Sequence, residues 1–161
     1  MSNSYIIRPA TMEDEENMLK LSRFVADNYT RSYLGDQIVD WYIDSGNCDE
    51  DIRKGMKSST LLMHDEKIIG IMIWHENQLH GFMIDICYHG TGAAQYFCNQ
   101  IIPEKLKLYN ELHLECFDKN HRGIAFYKKT GWTEYGQIED ELINGHRILF
   151  KLTRWAFRRI E

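Results

Sequence analysis

The nineteen residues from Leu114 to Trp132, LECFDKNHRGIAFYKKTGW, hold three side chains able to handle a proton or a ligand: the Glu115 carboxylate, the Asn120 amide and the Tyr127 phenol. Glu115 lies between Leu114 and Cys116, so on a strand its carboxylate points away from their face. Asn120 and Tyr127 are separated by almost two helical turns and therefore share one helix face. A carboxylate so placed could take a proton from a nucleophile, and the phenol could supply one to a leaving group. His80 is another candidate base, because an ordinary imidazole titrates near neutrality. Deprotonation through water, with no single essential base, is a further route.

A second cluster carries no charge. In YHGTGAAQYF, Gly90 and Gly92 fall between an apolar run and a helical segment. Glycines let backbone amides approach a ligand with no Cβ in the way, and free amides at a helix start form a seat for phosphate. The turn is neither a P-loop, since no Lys-Ser/Thr follows, nor a dinucleotide fingerprint, since the third glycine is missing. The same glycines could equally make a tight strand-to-helix connection.

These residues need elements to hold them. YIIRPA reads as a first strand. Thr11 followed by Asp14 resembles a capping box and opens MEDEENMLKLSRFVADNY, where Met18, Leu21, Val25 and Tyr29 fall at helical spacing. Further helices are expected at LGDQIVDWYIDS and DEDIRKGMKS. The stretch from Thr60 to Tyr88 holds three apolar runs broken by HDEK and HENQ, a pattern of strands joined by hairpins. GTGAAQYFCNQIIPEKLKLYN is a helix in which Pro103 predicts a kink or break. LHLECF is a strand, and NHRGIAFYKKTG a helix with Asn120 as N-cap and Gly131 past its end. WTEYGQI and HRILFKLT close the chain as strands around an Asn-Gly turn in INGH. The expected class is α/β (α+β): a mixed, mostly antiparallel sheet of about seven strands, one parallel crossover, and four or so helices, in a single domain over 1–161.

Composition narrows the function. Of 161 residues, 43% are apolar and 27% charged, and the formal net charge is -5, as in an ordinary soluble domain. Such a chain has no general affinity for nucleic acid, while a mildly acidic surface suits an amine-bearing substrate. No apolar run approaches bilayer length, and the N-terminal residues lack the pattern of a signal peptide. Cys48, Cys87, Cys98 and Cys116 form no CxxC pair and the histidines have no ligand spacing, so neither a disulfide scaffold nor a metal site is expected. A reducing cytoplasm is the expected location. The basic TRWAFRRIE end is expected to pack through Trp155 and Phe157.

The order of elements and two separated motifs together resemble the GNAT superfamily of acyl-CoA-dependent N-acyltransferases. His89-Gly90-Thr91-Gly92-Ala93-Ala94 is similar to the family's Gln/Arg-x-x-Gly-x-Gly/Ala pyrophosphate loop, with His in the first position and without the family's upstream Pro run. Asn120, Ala125, Tyr127, Gly131 and Trp132 stand for the family's second motif, and IIRPATMEDEENM looks like its opening.

The resemblance covers essentially the whole chain and implies an acetyltransferase. The strands HGFMIDICY and LHLECF would splay to admit the pantetheine arm of acetyl-CoA. A bulge at Ile86, Cys87 and Tyr88 would free amides for the thioester. His89 to Ala94 would hold the pyrophosphate, Asn120 would touch the cofactor, and Tyr127 would act as general acid on the sulfur. Glu115, Asp85 or His80 would be the base. The acceptor amine would bind among Tyr29, Tyr33, Trp41, Tyr42, Asp36, Asp40, Asp44, Trp74 and His75. No metal is implied, and a homodimer is possible within the family. A CoA-binding module without turnover is the alternative, as is a protein that keeps only the fold.

Overall fold

In a computed structural model, which describes residues 4–159, seven strands form one sheet in the order β1-β2-β3-β4-β5-β7-β6. The strands are β1 (Ile6–Pro9), β2 (Ser59–His64), β3 (Lys67–His75), β4 (Gln78–Ile84), β5 (Glu111–Phe117), β6 (Thr133–Asp140) and β7 (Gly145–Thr153). The helices are α1 (Glu15–Val25), α2 (Arg31–Leu34), α3 (Asp36–Asp44), α4 (Asn47–Gly55), α5 (Ala93–Leu108) and α6 (His121–Lys129). All neighbouring strands are antiparallel except β4 and β5.

The uninterrupted apolar runs of β2 and β3 follow from burial on both faces. Leu62, Ile69 and Met72 pack with Phe97, Ile102 and Leu106 of α5. Leu61, Ile68 and Ile71 point the other way, against Met18 and Leu21 of α1 and Ile52 of α4. Each such side chain, fully buried, contributes about 1.5–3 kcal/mol.

The start of α1 follows the expected cap, with one addition. Asp14 accepts from the Thr11 N–H at 2.7 Å and takes a bidentate bond from Arg8 at 2.8 Å on each oxygen. The Arg8 guanidinium is the chief reason its carboxyl is lowered to about 2. At its other end α1 does not stop but widens into a single π turn over Ala26–Thr30. Periodicity gives no warning of this, because a π turn adds one residue to an otherwise regular helix.

Several expectations need correction. α5 runs through Pro103 without a break: Phe97 and Cys98 before it and Ile102 and Leu106 around it are buried on the sheet, which holds the axis on both sides. The INGH connection is a short 3-10 turn over Glu141–Ile143, in which Asn144 alone takes positive φ and Gly145 already begins β7. At the C-terminal end Phe157 and Ala156 pack on the core, whereas Trp155 is 93% exposed. Gly131 is required there: its φ is 101° and a Cβ would lie 2.0 Å from the Ala156 carbonyl oxygen. Cys116 on β5 is buried, whereas Cys87, just after β4, is exposed.

Candidate active site

β5 is bonded along its length to β7, but to β4 only through Gln78 opposite His113 and Leu79 opposite Leu114. Beyond those pairs the two parallel strands diverge. The divergence begins where β4 bulges: Ile73 faces Gly81 while Trp74 faces Leu79, which leaves His80 as the extra residue. The bulge thus falls at His80, not at Ile86–Tyr88. Those three residues form a 3-10 turn after β4, because Asp85 turns its carboxylate back to accept from the Cys87 N–H at 2.9 Å.

The turn leads into the glycine loop. Gly90 and Gly92 have φ of 76° and 88°, and a Cβ at either would meet open space. Conformation, not crowding, therefore calls for glycine here. Thr91 ties the loop down, donating from Oγ1 to the Tyr88 carbonyl at 2.6 Å and accepting from the Ala93 N–H at 3.4 Å. The N–H groups of Gly90, Gly92, Ala94 and Gln95 find no acceptor among the described residues. Four open donors at the N-terminus of a sixteen-residue helix fit a diphosphate. Arg122, on the first turn of α6, adds positive potential felt by His89 and Tyr29. His89 itself faces inward: its Nε2 lies 3.1 Å from the Ile84 carbonyl, which assigns the proton to that nitrogen. Burial keeps the imidazole below its usual range, so the ring is neutral at pH 7.

A cavity of about 970 Å³ opens between the diverging strands. Glu115, Cys116, Asn120 and Tyr127 all line it. The strand alternation holds as expected: Leu112, Leu114 and Cys116 are buried toward α5 and α6, and Glu115 is exposed on the opposite face. Tyr127 is wedged among Phe126, Trp132 and Phe150 at ring distances of 5.8, 6.1 and 5.8 Å. Its hydroxyl makes no hydrogen bond to a described residue. Burial, then the nearby Cys116 thiol, holds the phenol well above its usual range. Burial likewise pushes Tyr33 to about 12 and Cys116 to about 12. Every one of these groups keeps its proton at neutral pH, so together they present donors to a ligand.

Asn120 caps α6 as expected. Its Oδ1 accepts from the Gly123 N–H at 3.0 Å and also from the Tyr29 hydroxyl at 2.6 Å. Glu115 is not free: Arg147 donates to it at 3.1 Å and to Asp140 at 2.7 Å, with the guanidinium 5.5 Å above the Phe117 ring. Asp85 is outside this assembly. It is 4% exposed, caps Cys87, stands 3.7 Å from the Lys67 ammonium, and does not line the cavity. His80 does line it, with its ring 5.8 Å from that of His75.

Of the expected acceptor residues, Tyr29, Tyr33, Trp41, Tyr42, Trp74 and His75 line the cavity. Asp36 and Asp40 instead bind Arg31 on the outer surface. Arg147 and Arg122 went unrecognised in the sequence. Arg147 carries the signal of alternation on β7 opposite the strand of Glu115, but nothing local marks it as a partner of that carboxylate. Among the described residues no cluster of His, Cys, Asp and Glu could hold a metal ion, and no helix is long and apolar enough to cross a membrane.

No family model matches the chain, and no curated protein matches it in sequence. Solved structures do match in shape. The PaiA N-acetyltransferase of Thermoplasma acidophilum, in complex with coenzyme A, superposes with a TM-score of 0.72 at 16% identity, over 93% of this chain and 99% of that one. A GCN5-related N-acetyltransferase of Rhodopseudomonas palustris gives 0.78 at 9% identity, over 95% and 98%. The ribosomal-protein-S18-alanine N-acetyltransferase of Escherichia coli gives 0.69 at 14% identity, over 98% and 97%. The chain has the GNAT fold.

Proposed function

We propose that the chain is an N-acetyltransferase that moves the acetyl group of acetyl-CoA to a primary amine by direct attack in a ternary complex. One observation carries this reading. The gap between β4 and β5 and the unpartnered Tyr127 hydroxyl belong to one cavity, and the glycine loop with its open amides adjoins that cavity through His89, whose ring is 5.2 Å from that of the cavity-lining Tyr29. In the gap the two strand edges leave backbone groups unpaired, and a ligand with its own amides can pair with them as an added strand. Acetyl-CoA supplies a diphosphate, two such amides and an activated acetyl thioester.

The chain's own groups supply the rest. Glu115, at the acceptor side of β5, takes a proton from the acceptor ammonium, directly or through water, so that the free amine attacks the thioester carbonyl and the C–S bond breaks to release the thiolate. Arg147 holds that carboxylate in place. Tyr127 holds a proton where a thiolate leaves, and the burial that raises its pKa keeps the proton there until it is needed. Asp85, serving as a cap, has no part in proton transfer. His80, at the bulge, remains a rival to Glu115 on the acceptor side.

The cavity favours an amine carried on an apolar or aromatic body, either a small molecule or a peptide end. Tyr33, Trp41, Tyr42, Phe82 and Phe117 supply rings, and Glu115, Asp51 and Asp140 supply negative charge. The Arg147 guanidinium is already committed to two carboxylates, so an acceptor bearing its own carboxylate gains little from it.

Thiol release from acetyl-CoA across a panel of primary amines tests the reading, with calorimetric titration of CoA beside it. Release with at least one amine, and loss of most of it in Tyr127→Phe with CoA affinity intact, is the expected result. Binding without release on any amine would leave a coenzyme-binding module instead. Undiminished turnover in Tyr127→Phe would remove the phenol from the mechanism.

A further inference from the structure

We propose that Tyr29 is a positioning residue that fixes the Asn120 amide for coenzyme binding, an inference that rests on the acetyl-CoA reading above. The Gly123 N–H can only donate, so the Asn120 atom 3.0 Å from it is the carbonyl oxygen. The Tyr29 hydroxyl donates to that same oxygen at 2.6 Å. Both lone-pair directions of Oδ1 are thereby occupied, and the amide plane has one orientation. Its NH2 group reaches the Cys116 sulfur and packs over Gly123, where a Cβ would lie 2.6 Å from Nδ2, and Asn120 lines the cavity. An amide clamped in this way meets a ligand without first losing rotamer freedom, which is where affinity is otherwise spent.

The π turn is what delivers Tyr29. It carries α1 one residue past regular winding, and Tyr29, within that turn, reaches a residue 91 positions later in the chain. π turns of this kind recur at functional sites. The same ring stands edge-on to His89 at 5.2 Å and to Tyr33 at 5.4 Å, and His89 is bonded in turn to the end of β4. One phenol thus braces the cap of α6 against the glycine loop, across the mouth of the cleft. Burial raises the pKa of Tyr29, which keeps its proton available for Asn120.

The test is a double-mutant cycle read by calorimetric CoA affinity and by steady-state kinetics. Tyr29→Phe keeps the ring and deletes only the hydroxyl. Expected is a roughly five- to tenfold loss of CoA affinity, the size of one neutral hydrogen bond, with a matching rise in KM for acetyl-CoA and kcat at saturation lowered less than twofold. Gly123→Ala, whose Cβ would displace the same amide directly, is expected to weaken binding similarly. In an Asn120→Ala background both losses should vanish, since there is no amide left to position. An unchanged affinity in Tyr29→Phe, or a loss of equal size with Asn120 absent, overturns the proposal. Failure of the unmutated protein to bind CoA would overturn the functional reading first and this one with it. Binding by the unmutated protein and by Tyr29→Phe alike would sink this one alone.

Discussion

The two edges of β5 make opposite use of the same seven residues. Along one edge all seven pair with β7, from Glu111 opposite Thr153 to Phe117 opposite Arg147. Along the other only His113 and Leu114 pair with β4. The paired edge is backed by Leu112, Leu114, Phe150 and Leu152, all essentially without exposure. The open edge faces a cavity lined by phenols, carboxylates and an amide. A strand can be left half unpaired when its other side is fully bonded and its buried face fully packed. The lesson is that the opening is a built feature: unpaired backbone is costly unless something meets it.

Breaking the closed edge gives the largest expected effect. Leu152→Ala empties space in a fully buried site, which costs about 3–5 kcal/mol. Thermal unfolding should then fall by roughly 10 °C, with KM for acetyl-CoA little changed in the folded fraction. A variant that kept its stability and lost coenzyme affinity would reverse the assignment of the two edges. On the open side, Glu115→Gln should lower kcat about 100-fold and leave CoA affinity and melting temperature nearly unchanged. Were His80→Ala to take that drop instead, the base would move from β5 to the β4 bulge.

Gly92→Ala sharpens the picture at the head of the cleft. The new methyl has room, so only the positive φ resists it, at about 1–2 kcal/mol. CoA binding should weaken roughly tenfold as the loop amides shift. The smallest effect on the coenzyme is expected far from either edge. Asp14→Asn removes a charge-assisted cap worth about 1–3 kcal/mol. The folded carboxyl is lowered to about 2, below the ordinary value of about 3.9. Its contribution is therefore complete above pH 4 and fades as pH falls through 2. Melting curves of the two proteins should differ at pH 6 and converge near pH 2, with no change in CoA affinity at neutral pH.

Much of this was written in local pattern. The strand runs, the turns after His64 and His75, the Asn120 cap and the Gly131 stop each depend on a few neighbouring residues, so the sequence exposes them. The glycine loop is legible for the same reason. Three features are not. The π turn at Ala26–Thr30 is stabilised by contacts from Tyr29 to Asn120 and His89, which no window along the chain contains. The β4 bulge lies at His80 because β3 and β4 slip register there, a property of the pair and not of either strand. Asp85 reads as an available acid in sequence, yet its nearest amide, at Cys87, draws it out of the site. Pro103 shows the converse, a strong local signal for breaking overruled by apolar anchors on either side.

The most direct measurement is a crystal structure of the protein grown with millimolar CoA. The account predicts phosphate oxygens on the amides of Gly90, Gly92, Ala94 and Gln95, the pantetheine arm lying between β4 and β5 beyond Leu79 and Leu114, and the sulfur beside the Tyr127 hydroxyl. Phosphates bound away from that loop, or a cleft that stays without coenzyme at that concentration, would contradict it.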